Sequence, residues 1–169
     1  MSEKRHILDA GSGADPLPLA TILCDLYVDP TVHRGGKSVL LDGRPFICCD
    51  IQHLPFKTSV FFFVWSTHVL EHVDNPTLAF KELKRIGKHG YVTFPSRFWE
   101  LFIDTNLRIH KWVVDPSMQS HEFGQAGYVK AFKQIKRILW KTNWRIRFRE
   151  RIFFWKHLHR LFHETVIQW

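Results

Sequence analysis

The sequence predicts an α/β fold built on a mostly parallel sheet, and three observations carry that expectation. His6-Ile7-Leu8-Asp9 is a short apolar run with an acid at its end, and it breaks into Gly11-Ser12-Gly13. A strand that ends in a glycine turn is how a parallel sheet presents a ligand site at its C-terminal edge. Residues 59–65 (Ser-Val-Phe-Phe-Phe-Val-Trp) are apolar without alternation. That pattern marks a strand buried on both faces, central in a parallel sheet. Finally, strand-like and helix-like segments follow one another as β-loop-β-loop-β-β-α-β, the order of an open α/β sheet.

Each element has its own justification. Residues 5–10 form the first strand. Only residues 17–20 separate its glycine loop from the next strand, so the first crossover has room for barely one helical turn. Thr21-Ile22-Leu23-Cys24 is β-branched and apolar, reads as the second strand, and ends at Asp25. Residues 26–44 are mostly loop, with a turn at Gly35-Gly36; His33 and Arg34 follow the second strand and so would sit near the ligand edge. Residues 45–49 are the third strand, ending at Asp50, and residues 59–65 the fourth. Asn75 can cap a helix with Pro76 at its first position, and Leu78, Leu83 and Ile86 share one face. Gly87 and Gly90 are expected to stop that helix, and residues 90–94 form the fifth strand. Residues 97–127 read as an insertion able to cover the ligand edge, with a short helix at 98–103 and a hairpin pairing 112–114 with 121–123. An amphipathic helix at 128–140, a half-buried strand at 145–149 and a last strand at 163–169 complete one domain over residues 1–169.

Composition narrows the function classes. No apolar run approaches a membrane span, and the first residues lack the apolar stretch of a secretory signal, so a cytoplasmic location is expected. Cys24, Cys48 and Cys49 lie in apolar runs without C-x-x-C spacing, and read as reduced core thiols. The net charge of +8 is concentrated: residues 130–160 hold 11 Lys/Arg and one acid, interleaved with Phe and Trp. Three readings of this block stay open. It is a solvated face, a contact for RNA or another polyanion, or a surface for an anionic membrane.

The glycine loop favours one ligand over another. A dinucleotide loop needs a third glycine and a helix N-terminus facing a pyrophosphate. Here Pro16 takes that place and Asp15 would repel the phosphates. S-adenosylmethionine (SAM) carries an ammonium group and no phosphate, so acids suit it. An acid at the end of the second strand can hold ribose hydroxyls. Asp25 is placed for that, although it follows Gly13 more closely than usual, and Asp29 is the alternative.

Four stretches carry a family resemblance: Ile7-Leu8-Asp9-Ala10-Gly11-Ser12-Gly13, Cys49-Asp50-Ile51-Gln52-His53-Leu54-Pro55-Phe56, Ser66-Thr67-His68-Val69-Leu70-Glu71-His72-Val73, and Lys88-His89-Gly90-Tyr91-Val92-Thr93-Phe94-Pro95. In these the chain resembles the class I SAM-dependent methyltransferases, in particular the compact methyltransferase type 11 group. The resemblance implies a Rossmann-like sheet of order 3-2-1-4-5-7-6 with its seventh strand antiparallel, here with a truncated first crossover helix. It implies SAM as cofactor. Asp9, Gly11, Ser12 and Gly13 would then form the methionine-side loop. Asp25 and Leu26 would lie at the ribose, and Asp50 and the Ile51 backbone at the adenine. Ser66 and Thr67 would lie at the ammonium group.

Histidine is the usual base for a hydroxyl, amine or thiol acceptor. His68, directly after the fourth strand, is the first candidate, followed by His72 and His110. No metal is expected, because His-Val-Leu-Glu-His does not match H-E-x-x-H. The expected activity is methyl transfer to a small-molecule acceptor, with a homodimer as one way to close the site. The competing readings are a non-catalytic interaction module of the same fold, and an RNA methyltransferase using the basic block.

Overall fold

The computed structural model describes residues 5–96, 110–114, 120–122 and 164–169. Six strands form the main sheet: β1 (Ile7–Ala10), β2 (Ile22–Asp25), β3 (Phe46–Cys48), β4 (Phe61–Thr67), β5 (Gly87–Pro95) and β8 (Glu164–Gln168). A separate hairpin pairs β6 (Trp112–Val114) with β7 (Ser120–Glu122). The sheet order is β3-β2-β1-β4-β5-β8, parallel throughout except that β8 runs antiparallel to β5. This is the expected order for every strand among the described residues. The strand expected at 145–149, the helices at 98–103 and 128–140, and the basic block at 130–160 lie outside them. Among the described residues, no helix is long and apolar enough to cross a membrane.

Register explains which side chains reach the core. Leu8, Val64 and Gly90 lie side by side on one face, while Asp9, Trp65 and Tyr91 lie on the other. The first face carries the core: Leu8, Val64, Val92 and Phe94 are fully buried. Helix α1 (Pro76–Ile86) contributes Ala79, Leu83 and Ile86 to the same buried cluster. On the other face Trp65 stacks flat on Tyr91, with centroids 4.2 Å apart. Gly90 is required where the Trp169 ring packs on the sheet. A Cβ there would lie 2.1 Å from the Trp169 ring, which covers this point of the sheet and meets Phe80 of α1 edge-on.

Several boundaries differ from expectation, each for a physical reason. β4 starts at Phe61 and runs on to Thr67, because its ladder with β5 continues through Ser66–Val92 and Thr67–Thr93. Gly87 does end α1, its N–H bonding to the Leu83 carbonyl, but its backbone is extended and β5 starts there without a loop. Gly90 is therefore a strand residue and not a helix stop. The hairpin forms one residue earlier than expected, at 120–122. Cys48 is exposed, unlike the buried Cys24, because it sits on the outward side of the edge strand.

The truncated first crossover is present. Between β1 and β2 the chain makes only turns, and Asp9 replaces the missing helix as an anchor by accepting the Leu17 N–H at 2.7 Å. Burial of this carboxyl (3 % exposed) raises its pKa from 3.8 to about 6, against the lowering effect of that hydrogen bond and of Arg44. A carboxyl that binds its proton more tightly folded than unfolded loses stability as pH rises from about 4 through 6. Wild type is therefore expected to be destabilised at neutral pH by this group, by about 2–3 kcal/mol at most. Asp9→Asn keeps an acceptor for Leu17 and should melt higher than wild type at pH 7.5, with the gap closing near pH 4. Parallel melting curves that never converge between these pH values would exclude this origin.

Candidate functional site

The C-terminal ends of β1 to β4 converge on one cavity of about 210 Å³. Its floor is the loop after β1. Gly11 has φ +81°, and its N–H and that of Ser12 both donate to the Cys24 carbonyl, at 2.8 and 3.0 Å. These bonds fold the loop back over the end of β2 and bring Gly13 to Asp25, whose Oδ2 accepts the Gly13 N–H at 3.0 Å. The Asp25 Oδ1 accepts the Tyr27 N–H at 3.1 Å and also Nη1 of Arg34 at 3.1 Å.

Arg34 is the residue that orders the loop after β2. A short 3-10 turn, Val32–Arg34, is capped by Thr31 and closed by Gly35 in the left-handed region. It aims the guanidinium back at the pocket, where Nη2 donates to the Tyr27 and Asp29 carbonyls and Nε to the Lys37 carbonyl. The Arg34–Asp25 side chains are each only 12 % exposed, so water screens this pair weakly. Asp50, at the end of β3, lines the same cavity. It turns its chain locally, accepting the Gln52 N–H at 2.8 Å and the Gln52 amide at 3.0 Å.

The wall opposite the glycine loop comes from the turn after β4. His68 has φ +54°, a strained conformation for a residue with a Cβ. Its Nδ1 lies 3.3 Å from the buried Glu71 carboxylate and its Nε2 2.9 Å from Glu164 of β8. The close contact with the Glu71 carboxylate first, then the bond to Glu164, raises its pKa to about 9. In this pairing His68 is a cation at neutral pH and holds no lone pair for an incoming proton. A base role would need Glu164 to leave. His72 follows, packed between His33 (centroids 4.5 Å) and His110 (4.7 Å). Burial, and then the neighbouring Lys111, lower the pKa of His33. The backbone N–H groups of Lys111 and Trp112 both reach the Glu71 carbonyl, and Lys111 Nζ reaches Asp74 at 2.6 Å, which fixes His110 beside this turn.

Of the residues expected from sequence, Gly11, Gly13, Asp25, Leu26, Asp50, Ile51, His68 and His72 line the cavity together. Asp9, Ser12, Ser66, Thr67 and His110 are not among its lining residues. Asp9 is buried under the loop, and Ser12 and Ser66 are buried hydroxyls without a hydrogen-bond partner among the described residues. Asp29 offers its backbone to Arg34 and does not line the cavity. Two residues carry more of the site than the sequence suggested. Arg34 is the partner of Asp25, and Glu71 is a carboxylate only 1 % exposed. A charged residue in the middle of an apolar turn was the available signal for Glu71. Nothing in the local pattern signals the pairing of Arg34.

Among known proteins, the chain is 46% identical over 96 residues to a malonyl-[acyl-carrier protein] O-methyltransferase of Herminiimonas arsenicoxydans. That stretch is 50% of this chain and 34% of the relative, so the chain spans about a third of the length of the curated relative it matches. Solved structures with a similar course include the plantazolicin methyltransferase BpumL in complex with SAH (21% identity, 57% of this chain, 41% of that one, TM-score 0.43). Another is a SAM-dependent methyltransferase from Mesorhizobium loti (15% identity, 57% and 50%, TM-score 0.42). The methyltransferase-domain family matches residues 10–94, half of the chain, from the glycine loop through β5, and the chain belongs to that family.

Proposed function

We propose that this chain is a SAM-dependent methyltransferase acting on a small-molecule acceptor. One observation carries the reading: a single cavity gathers Gly11, Asp25, Asp50 and His68 from the ends of four adjacent strands. The donor set suits SAM. Asp25 has carboxylate oxygens for ribose hydroxyls, and Asp50 for the adenine amino group, with Leu26 and Ile51 as apolar neighbours. Gly11 lets Val69 of the opposite wall pack against the loop, where a Cβ would stand 2.3 Å from Val69 Cγ2, and the pocket's acids suit an ammonium group. When bound, SAM supplies a methyl group already activated by its sulfonium.

The chain's own work is then alignment and exclusion of water. Asp25 and Asp50 fix the nucleoside end. His68, cationic between Glu71 and Glu164, holds the turn that carries His72 and Val69 against the cavity. The acceptor meets His33, His72 and Lys111, a wall rich in nitrogen donors that suits an oxygen-bearing acceptor. The curated relative is named for O-methylation, which agrees in kind.

One observation favours the second reading, a non-catalytic module. The Asp25 carboxylate is already taken by Arg34. Calorimetry with SAM and with its demethylated product SAH separates the two. The enzyme reading expects saturable one-to-one binding of both ligands. Absence of heat from both, at protein concentrations well above micromolar, would leave the module reading.

A further inference from the structure

The wall after β4 holds a cluster, Glu71, His72 and His110, of which methyl transfer uses His72 only as lining and His110 not at all. The Glu71 carboxylate is buried, and neither of its oxygens has a hydrogen-bond partner of good geometry among the described residues. An unsatisfied buried carboxylate is costly, so such a group asks for a compensating positive charge. His68 supplies one, its Nδ1 3.3 Å from Oε1. One nitrogen each of His72 and His110 also lies within 4.8 Å of the carboxylate and of the other, and His72 Nε2 is 3.9 Å from the same Oε1. That is too long for a hydrogen bond. Two ligands of one tetrahedral Zn²⁺, each about 2.0–2.1 Å from the metal, sit roughly 3.4 Å apart. The three donors therefore surround a point that they reach by closing in about 0.5–1.5 Å.

We infer that Glu71, His72 and His110 form a binding site for a divalent first-row transition cation. Two imidazoles and one carboxylate are the donor set of open zinc sites and of facial iron(II) sites, which leave positions for an exogenous oxygen ligand. The arrangement is built for it in three respects. Lys111 and Trp112 tie the segment carrying His110 to the Glu71 carbonyl, at 2.8 and 3.3 Å. The Trp112 indole N–H bonds the Val73 carbonyl at 2.7 Å and fixes the far end of the same turn. His68 Nδ1, 3.3 Å from Oε1, holds the carboxylate in place, the role that outer partners play for metal ligands. His72 also lines the cavity, so the candidate site lies at the edge of the space left for the acceptor. Sequence spacing missed this site because its third donor, His110, is 38 residues from His72 in the chain.

The inference goes beyond methyl transfer and is tested without it. Tag-free full-length protein is stripped with chelator and titrated with Co²⁺, followed by visible d–d absorption, and then challenged with Zn²⁺. One equivalent of Co²⁺ should bind saturably and be displaced by Zn²⁺. His110→Ala and Glu71→Gln should each weaken binding by more than about tenfold, the range in which even outer partners act. Cys48→Ser should leave binding unchanged. Far-ultraviolet circular dichroism confirms that each variant is folded, and His110→Ala carries the test should Glu71→Gln fail to fold. Three results would overturn the site: no saturable Co²⁺ signal in wild type, binding that survives the His110→Ala and Glu71→Gln substitutions, or binding that disappears in Cys48→Ser. SAM calorimetry on the same metal-free protein reports the methyltransferase reading separately.

Discussion

Asp25→Asn should lose SAM binding by about a hundredfold or more, while Arg34→Gln should strengthen it by about tenfold. The opposite signs follow from one contact. Asp25 Oδ2 is held by the Gly13 N–H, and Oδ1 is shared between the Tyr27 N–H and Arg34. A ribose that bonds this carboxylate must take the share of Oδ1 that Arg34 holds. Hydrogen bonds to charged groups contribute about 1.5–3 kcal/mol, and 1.4 kcal/mol is tenfold in affinity. Removing the competing guanidinium should return about one such bond. Removing the carboxylate charge loses the bonds to both ribose hydroxyls, and Asn can still accept from Gly13 so that the loop keeps its shape. Calorimetry with SAM, beside melting curves for each variant, checks both. Equal weakening by the two substitutions would mean that Arg34 shapes the pocket through Tyr27, Asp29 and Lys37 and does not compete with ligand.

This contact also marks the limit of what the sequence discloses. The sheet was legible because its signals are local. Ile7-Leu8, Ile22-Leu23 and Phe61–Val64 are apolar strand runs, and Asp25 and Asp50 punctuate strand ends where a parallel sheet opens. The capped helix from Pro76 was legible for the same reason, with Asn75 accepting the Leu78 N–H at 3.0 Å. Features that depend on one loop meeting another were not. Arg34 finds Asp25 only after a capped 3-10 turn reverses the chain. The charge state of His68 depends on Glu71, three residues on, and then on Glu164, 96 residues away on β8. A histidine after β4 reads as a base in sequence, and its two carboxylate partners make it a cation in the fold. The run 87–90 illustrates a weaker ambiguity. Two glycines suggest a helix stop followed by a loop, but one supplies the cap and the other makes room for Trp169.

Gly11→Ala is the second substitution expected to act strongly, on both stability and binding. At φ +81° a side chain costs about 1–2 kcal/mol from the backbone alone. The added Cβ would also stand 2.3 Å from Val69 Cγ2, so Val69 must move. Forcing a methyl group into a filled contact adds about 1–3 kcal/mol. For a chain of this length each kcal/mol is worth roughly 2–4 °C in melting temperature, so a fall of about 10 °C is expected. Binding should suffer more than stability suggests. Val69 follows the strained His68 and precedes Glu71 and His72, and pushing it displaces the cavity wall opposite the loop. A double substitution separates the two causes. Val69→Ala in the Gly11→Ala background removes the collision and leaves the backbone strain. It should recover part of the lost melting temperature, while Val69→Ala alone should destabilise. Failure of the second substitution to recover any stability would assign the whole effect to the backbone. Gly11→Ala with wild-type melting and wild-type SAM affinity would show that this loop does not need glycine, and would remove the loop from the proposed cofactor site.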